Sequence, residues 1–174
     1  NIYSGNFTGT DTAGAVAGVN NGRIEGVKTF GNTVEALGSI KSTNIDGKYV
    51  GAAGGITGIN SGTVDDVETT GSVIAGDAKD NNGALSTAGG IVGINNAGAT
   101  ISNSYSDSAA TANANTTYAL GGVVGINNGN VQYVDSLGVT NGGATGSSNI
   151  GGIIGTNKGN MYSGYNESIA SGAD

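Results

Sequence analysis

Few side chains in this sequence could carry out chemistry. The 174 residues include no histidine and no cysteine, which removes the Ser–His pair, the thiol nucleophile and the usual zinc ligands. The densest acidic group is formed by Asp65, Asp66 and Glu68. Two carboxylates at a set separation could hydrolyse a glycosidic bond, but a single acidic cluster is also typical of a solvated strand face. We therefore expect the chain to be non-catalytic.

A second group of oxygen donors suits a hard cation. Asp77, Asp80 and Asn82 precede Gly83 in a polar stretch, and Ca²⁺ takes carboxylate and amide oxygens as ligands. Their spacing fits neither an EF-hand nor a nonapeptide calcium repeat, and the alternative is an ordinary polar loop. Apart from this calcium candidate, we expect no cofactor.

The charge balance narrows the classes of partner. The chain has six lysines and arginines against thirteen aspartates and glutamates, and its formal net charge is −7. Binding of nucleic acid needs clustered Lys and Arg, so we expect no nucleic-acid partner. No apolar run approaches the roughly 20 residues of a membrane span, so we also expect no membrane insertion.

These side chains must be positioned by a repeated glycine-rich unit, which makes up most of the chain. The unit recurs five times, beginning at Gly14, Gly54, Gly89, Gly121 and Gly151. Each copy starts with a Gly-Gly or Gly-Ala pair, which two further residues, a glycine, one more residue and an asparagine follow. The interval between copies shortens from 40 to 30 residues while the motif keeps its length. A constant motif with a variable spacer is typical of stacked coils that carry loops at one corner.

The repeats predict strands rather than helices. Glycine recurs inside every candidate segment and would cost about 1 kcal/mol at each helix-interior site, whereas Val- and Ile-rich runs bounded by Asn-Gly indicate strands and turns. We predict an all-β fold, a right-handed parallel β-solenoid of about five coils, with the hand taken from the crossover rule. Its units are about 1–13 (partial), 14–53, 54–88, 89–120, 121–150 and 151–174.

The start of the chain matches the interior of a repeat. Asn1-Ile2-Tyr3-Ser4-Gly5 is similar to Asn160-Met161-Tyr162-Ser163-Gly164. We therefore expect residues 1–13 to align with the second half of a later unit. This also suggests a piece cut from something longer, or a mature product whose targeting signal has been removed.

Stacking would place equivalent residues above one another in columns. The motif asparagines would hydrogen-bond along the axis as a ladder, and the Asn-x-Gly corners would use glycine for its positive φ. The fifth motif residue, a glycine in every copy, would form a column without side chains, where the chain bends or another backbone packs closely. The asparagines are Asn20, Asn60, Asn95, Asn127 and Asn157, and the glycines are Gly18, Gly58, Gly93, Gly125 and Gly155.

One apolar stripe has two interpretations. Alternation along the strand places Val19, Ile59, Ile94 and Ile126 on the face opposite to Val16, Ile56, Ile91 and Val123. A strand that is apolar on both faces is normally covered on both. Either the variable returns or a second sheet cover the stripe, or another chain or a host molecule does, and in that case the stripe is an interaction surface.

The motif resembles a known family. Gly89-Gly90-Ile91-Val92-Gly93-Ile94-Asn95-Asn96, followed by Ile101-Ser102-Asn103-Ser104-Tyr105-Ser106, resembles the GLUG repeat, and the resemblance covers nearly the whole chain. Two departures are that only the third unit has the full Asn-Ser-Tyr and that the first has Ala15 and Ala17. The resemblance implies a parallel β-solenoid from large secreted or surface-bound bacterial proteins, namely filamentous-haemagglutinin-like adhesins and the non-catalytic parts of IgA-cleaving metallopeptidases.

These observations predict a non-catalytic structural or binding segment of an extracellular bacterial adhesin or surface fibre. Its partners would be adjacent repeats or copies of itself, and a host glycan or protein receptor; tyrosines such as Tyr105 and Tyr133 could stack on sugars or pack at the rim of the core. Two alternatives are a self-assembling subunit of an extracellular filament and an accessory repeat region of a secreted peptidase or carbohydrate-active protein.

Overall fold

The computed structural model describes residues 1–37, 44–45, 48–76, 85–112, 117–142 and 149–172. Within these ranges the chain is all-β, which confirms the predicted class. Over the same residues, no helix is long and apolar enough to cross a membrane. In chain order the strands are β1 Ile2–Tyr3, β2 Asn6–Gly9, β3 Thr12–Gly14, β4 Ala17–Asn20, β5 Arg23–Glu25, β6 Lys28–Ala36, β7 Asn44–Ile45, β8 Lys48–Gly54, β9 Thr57–Asn60, β10 Thr63–Asp65, β11 Glu68–Ala75, β12 Leu85–Gly89, β13 Val92–Asn95, β14 Thr100–Ala112, β15 Thr117–Gly121, β16 Val124–Asn127, β17 Asn130–Ser136, β18 Thr140–Asn141, β19 Asn149–Gly151, β20 Ile154–Asn157, β21 Asn160–Asn166 and β22 Ala170–Ser171.

The strands form three sheets, and each repeat contributes to all three. Sheet 1 has eleven strands and contains β1, β2 and the strands that follow each motif asparagine. Sheet 2 has the order β19-β15-β12-β8-β3, with β7 paired to β8, and sheet 3 has the order β20-β16-β13-β9-β4. Apart from the β7–β8 pair, all the pairings between described strands are parallel. This curled set of parallel sheets is consistent with a β-solenoid.

The register between repeats aligns equivalent motif positions. In sheet 3, Ile59 pairs with Ile94, and Ile94 pairs with Ile126. In sheet 1, Val64 pairs with Ile101, and Ile101 pairs with Val131. Because side chains alternate along a strand, this register keeps the apolar residues of successive repeats on the same face.

The beginning of the chain pairs with β6, in the second half of the first unit, but in a different register from the one that the similarity to residues 160–164 indicates. Ile2 pairs with Thr29 in β6 and not with Ile24, the position that corresponds to Met161. The observed register instead pairs Phe7 with Val34, where both pack in one apolar cluster. A slip in register would move the partly buried side chain of Phe7 away from this cluster.

The core is divided among three apolar clusters of small and β-branched residues. One lies where the motif turn meets sheet 1 and includes Ile91, Ile101 and Val123. A second joins the later part of sheet 1 to sheet 2 and is rich in alanine. The third lies between sheets 2 and 3. Sheets 2 and 3 are therefore covered on both faces in the central repeats.

Sheet 1 bends at a column of left-handed residues. Asp66, Asn103, Tyr133 and Ser163 have φ between 49° and 54°, and Gly26 has 66°. They occupy equivalent positions, two residues after the first apolar residue of the sheet 1 segment. Left-handed backbone is unfavourable for most L-residues, so the bend is a shared feature of the repeats that parallel pairing on both sides maintains.

Candidate functional site: the asparagine ladder and its open ends

The five motif asparagines form one continuous chain of side-chain hydrogen bonds. Each donates Nδ2 to Oδ1 of the next: Asn20 to Asn60 over 2.8 Å, Asn60 to Asn95 over 2.9 Å, Asn95 to Asn127 over 2.9 Å, and Asn127 to Asn157 over 2.8 Å. All four bonds run in the same direction. The ladder therefore links all five repeats.

Three of the ladder amides also close the turn beside them. Nδ2 of Asn60 donates to the carbonyl oxygens of Gly62 and Thr100, and its Oδ1 accepts the N–H of Gly62 at 3.2 Å. Asn20 and Asn127 make the same set of bonds. Because burying an unpaired amide costs free energy, these bonds allow the asparagines of the central repeats to be fully buried.

The corner glycines do not supply the predicted positive φ. Among the Asn-x-Gly turns, Gly22, Gly62, Gly129 and Gly159 all lie outside the left-handed region; only the longer third turn has a left-handed glycine, Gly98 at 82°. Their role is close approach between turns. A Cβ on Gly62 would lie 1.9 Å from the carbonyl oxygen of Gly22. The asparagine side chain closes the corner, as in an Asx turn.

The glycine column lies where sheets 2 and 3 approach each other at backbone distance. A Cβ on Gly58 would lie 2.6 Å from the carbonyl oxygen of Ala52, and one on Gly155 would lie 2.6 Å from that of Leu120. A Cβ on Gly125 would lie 2.3 Å from Oγ1 of Thr87. Of the two roles that the sequence left open, close packing of another backbone fits these distances. Gly18 and Gly93 occupy the equivalent positions in their repeats.

In two of the Gly-Gly pairs, the second glycine packs against a serine hydroxyl, a contact that the sequence did not reveal. A Cβ on Gly90 would lie 2.1 Å from Oγ of Ser106, and one on Gly122 would lie 2.0 Å from Oγ of Ser136. Thr69 precedes these serines in a buried hydroxyl column and donates Oγ1 to Oγ of Ser106 at 3.2 Å. The signal was weak because the residue type changes along this column, from threonine through serine to asparagine.

The apolar stripe of sheet 3 is not a free interaction surface in the central repeats. Ile59 is 7% exposed, and Ile94 and Ile126 are fully buried. They pack against residues of sheet 2 in the third cluster, so the return strands provide the cover. The prediction of a shared interaction stripe is wrong for these three residues. Val19, the first member, is 47% exposed because β4 is the edge of sheet 3 among the described strands.

Both ends of the stack expose apolar side chains. At the first repeat, Val16 is 38% exposed. At the last, Met161 is 37% and Ile169 is 68% exposed, and every residue of β21 is exposed. The described residues leave one side of β19, β20, β21 and β22 unpaired. Open strand edges of this kind are templates for further pairing.

Two carboxylates of the acidic group bind separate polar partners. Asp65 accepts hydrogen bonds from Ser102 Oγ at 2.8 Å and Asn103 Nδ2 at 2.9 Å, and Arg23 contacts its other oxygen at 2.8 Å. These bonds lower the pKa of Asp65 below its usual range, with Ser102 and Asn103 contributing most. Glu68 pairs instead with Lys28. The Asp65 side chain thereby joins residues of three successive repeats on sheet 1.

No metal centre is found in the part of the chain that the structure describes. Those residues contain no group of three His, Cys, Asp or Glu side chains arranged to hold a metal ion. The calcium candidate, Asp77, Asp80 and Asn82, lies outside the described residues. It stays a prediction.

No protein-family model, curated protein or solved structure matches this chain. The resemblance to GLUG repeats therefore stays a prediction that rests on the motif residues. The extracellular location and the bacterial origin are predictions of the same kind.

Proposed function

We propose that the chain is a non-catalytic structural and binding segment of an extracellular bacterial adhesin or surface fibre, built from GLUG-type repeats. The observation that supports this most is the hydrogen-bonded ladder from Asn20 to Asn157. It joins every repeat to the next in one direction, as a rigid spacer requires. The asparagine and glycine positions that recur in all five copies of the motif serve this stacking.

We further propose that the backbone winds as a right-handed solenoid of about five coils. Parallel strands joined through other sheets favour the right-handed crossover. At about 4.8 Å for each coil, the stack would be roughly 25 Å long. In a longer fibre, the same geometry would extend by addition of repeats.

Exposed tyrosines offer a contact surface for a host glycan or protein. Tyr133 is 61%, Tyr162 57% and Tyr165 54% exposed, and parallel pairing places Gln132 beside Tyr162. Tyrosine provides large contact area and a polar hydroxyl, which is why it is enriched at binding interfaces. These three residues would form the receptor-binding part of the segment.

One observation favours the filament as a second candidate. The open edge of the last repeat exposes Met161 and Ile169, and addition of another chain there would bury both. A filament subunit would form ordered fibres as its concentration rises, whereas a segment of an adhesin would stay monomeric. Electron microscopy and sedimentation separate the two.

Two experiments test the proposed role: one locates the protein outside the cell, and the other measures adhesion to host cells. Antibodies against the purified chain should label intact producing cells or their medium, and beads coated with the chain should adhere to host cells. The triple variant Tyr133→Ala, Tyr162→Ala, Tyr165→Ala should lose adhesion while keeping its β circular-dichroism signal. Labelling that appears only after cell lysis would contradict the extracellular role.

A further inference from the structure

The outer face of sheet 1 carries tyrosines and carboxylates in the third and fourth repeats. Tyr105 and Asp107 lie on β14, and Tyr133 and Asp135 lie on β17. All but Tyr105, which is half-buried, are exposed, whereas Ser106 between the two residues of β14 is fully buried. Because β14 lies between β11 and β17, and β17 between β14 and β21, this exposure does not depend on the ends of the stack. We call these four residues the acidic aromatic face.

The register places a carboxylate between two tyrosines. Tyr105 pairs with Asp135, and Asp135 pairs with Tyr165 of the next repeat. Burial raises the pKa of the Tyr105 hydroxyl, and the nearby carboxylates, with Asp107 first among them, raise it further. Neighbouring strands lie about 4.8 Å apart. A positive charge held over Asp135 would therefore lie one strand spacing from each tyrosine, within the roughly 6 Å over which an aromatic ring attracts a cation.

Among the described residues, the two carboxylates of this face have no partner. No hydrogen bond or ion pair within the described ranges involves the side chain of Asp107 or Asp135. In the first two repeats, by contrast, Arg23 and Lys28 form ion pairs with acidic side chains of the same sheet. After residue 84 the sequence contains no arginine and one lysine, Lys158, which lies in a turn outside sheet 1. The acidic aromatic face therefore keeps its negative charge.

A partner for this face should be positively charged and able to contact aromatic rings. Arginine and lysine side chains meet both requirements, since they pair with carboxylates and also lie over aromatic faces. A neutral glycan could stack on the tyrosines, but it would bring no charge to Asp107 or Asp135. Nucleic acid would be repelled by both carboxylates.

We propose that the acidic aromatic face binds a lysine- and arginine-rich segment of a partner protein, whose cationic groups contact Asp107 and Asp135 and lie against the rings of Tyr105 and Tyr133. The inference rests on the proposed binding role, because it names the chemistry of the receptor. Complementary charge across an interface steers association and sets specificity. The unpaired carboxylates and the tyrosines between them give this face a preference that the ion-paired first two repeats lack.

A fluorescently labelled octalysine peptide is the probe. Its binding to the full chain is measured by fluorescence anisotropy at low ionic strength, with labelled octaglutamate as the control. Octalysine should bind saturably, and its affinity should fall as sodium chloride is added, because salt screens exposed charges. Octaglutamate should not bind. Equal binding of the two peptides, or no saturable binding of octalysine, would overturn the proposal.

Two matched charge variants distinguish this face from the overall acidity of the chain. Asp135→Asn and Asp66→Asn each remove one exposed carboxylate from sheet 1, so they change the net charge equally. Asp135→Asn should raise the Kd of octalysine about threefold, as loss of an exposed ion pair does. Asp66→Asn, in the second repeat, should change the Kd by less than about 1.5-fold. Equal weakening would mean that binding follows net charge alone, which contradicts a specific face.

A tyrosine variant tests the aromatic contribution at constant charge. Tyr133 has a φ of 53°, and Asn103 has the same left-handed conformation at the equivalent position one repeat earlier, so Tyr133→Asn should fold. Loss of the ring should raise the Kd of octalysine about threefold. Tyr3→Ser removes an exposed tyrosine outside this face and should leave the Kd unchanged. Wild-type affinity in Tyr133→Asn would show that the rings do not take part and would overturn the proposal.

Adhesion to host cells separates this inference from the proposed function. Octalysine should compete with host cells for beads coated with the wild-type chain, and beads coated with Asp135→Asn should adhere less. If Tyr133→Asn beads lost adhesion while Asp135→Asn beads kept it, the receptor would be a neutral glycan; the cationic partner would then be wrong and the adhesive role would stand. Wild-type beads that do not adhere would contradict the adhesive role, and the octalysine measurements would still decide the chemistry of the face.

Discussion

Nδ2 of Asn60 lies 2.9 Å from Oδ1 of Asn95, although 35 residues separate them in sequence. Both side chains are fully buried. A core made largely of valine, alanine and isoleucine provides little directional information, because apolar contact is non-directional. The amide bond does, since a slip by one residue would leave buried donors and acceptors unpaired. The ladder thus fixes both the register and the direction of stacking.

Breaking the ladder at its centre should destabilise the fold. Asn95→Ala removes the bonds with Asn60 and Asn127 and should lower the free energy of unfolding by about 3 kcal/mol. The matched control is Asn96→Ala, whose amide contacts Ser61 at the surface and should matter by less than about 0.5 kcal/mol. Urea denaturation measures both, and equal losses would contradict a special role for the ladder.

The glycine column should tolerate no side chain. Gly125→Ala brings a Cβ to within 2.3 Å of Thr87 Oγ1 and should cost about 3 kcal/mol or prevent folding. Gly22→Ala is the control, because nothing lies within 4 Å of a Cβ there and its φ is not left-handed; it should be neutral or stabilise by about 0.4–1 kcal/mol. Thermal unfolding of the two variants distinguishes packing from a general preference for glycine.

The apolar stripe should behave as core and not as a docking surface. Ile94→Ser removes a fully buried side chain and should cost about 4 kcal/mol. Val19→Ser, at a half-exposed position of the same column, should cost less than about 1 kcal/mol. If Ile94→Ser instead kept full stability in chemical denaturation, the packing of sheet 2 on sheet 3 would be contradicted.

The free energy of unfolding should fall on acidification because Asp65 becomes protonated. Bonds from Ser102, Asn103 and Arg23 lower the pKa of Asp65 in the folded state. Its contribution is therefore complete above the unfolded carboxyl pKa of about 3.9 and is lost as the pH falls through the lower folded-state pKa.

The variant Asp65→Asn tests this assignment. Its melting temperature should fall less than that of the wild type between about pH 5 and about pH 2. The exposed neighbour Asp66, changed to Asn, is the matched control. Parallel curves for the wild type and Asp65→Asn would show that the Asp65 bonds contribute nothing.

The sequence predicted the elements that recur without variation. The all-β class and the parallel pairing are confirmed, and five identical asparagines at equivalent motif positions lie close enough to bond in series. The same regularity located the glycine column. An invariant residue in a repeat is informative because stacking multiplies any local misfit by the number of repeats.

Features that depend on variable residues could not be predicted. Ser106 and Ser136 follow their Gly-Gly pairs at different separations, and the left-handed column at Asp66 and Tyr133 contains no common residue type. The pairing of Ile2 with Thr29 was hidden by a local similarity elsewhere. In each case, a contact between distant segments overrides the local pattern.

The most direct test of the stacked ladder is crosslinking between introduced cysteines, since the natural chain has none. Ser61 and Asn96 lie one level apart and their side chains touch at 2.9 Å, whereas Ser61 and Asn128 would lie two levels, about 10 Å, apart. The pair Ser61→Cys, Asn96→Cys should oxidise rapidly to a disulfide, and Ser61→Cys, Asn128→Cys should not. No disulfide in the first pair, or equal rates in both, would contradict parallel stacking of the repeats.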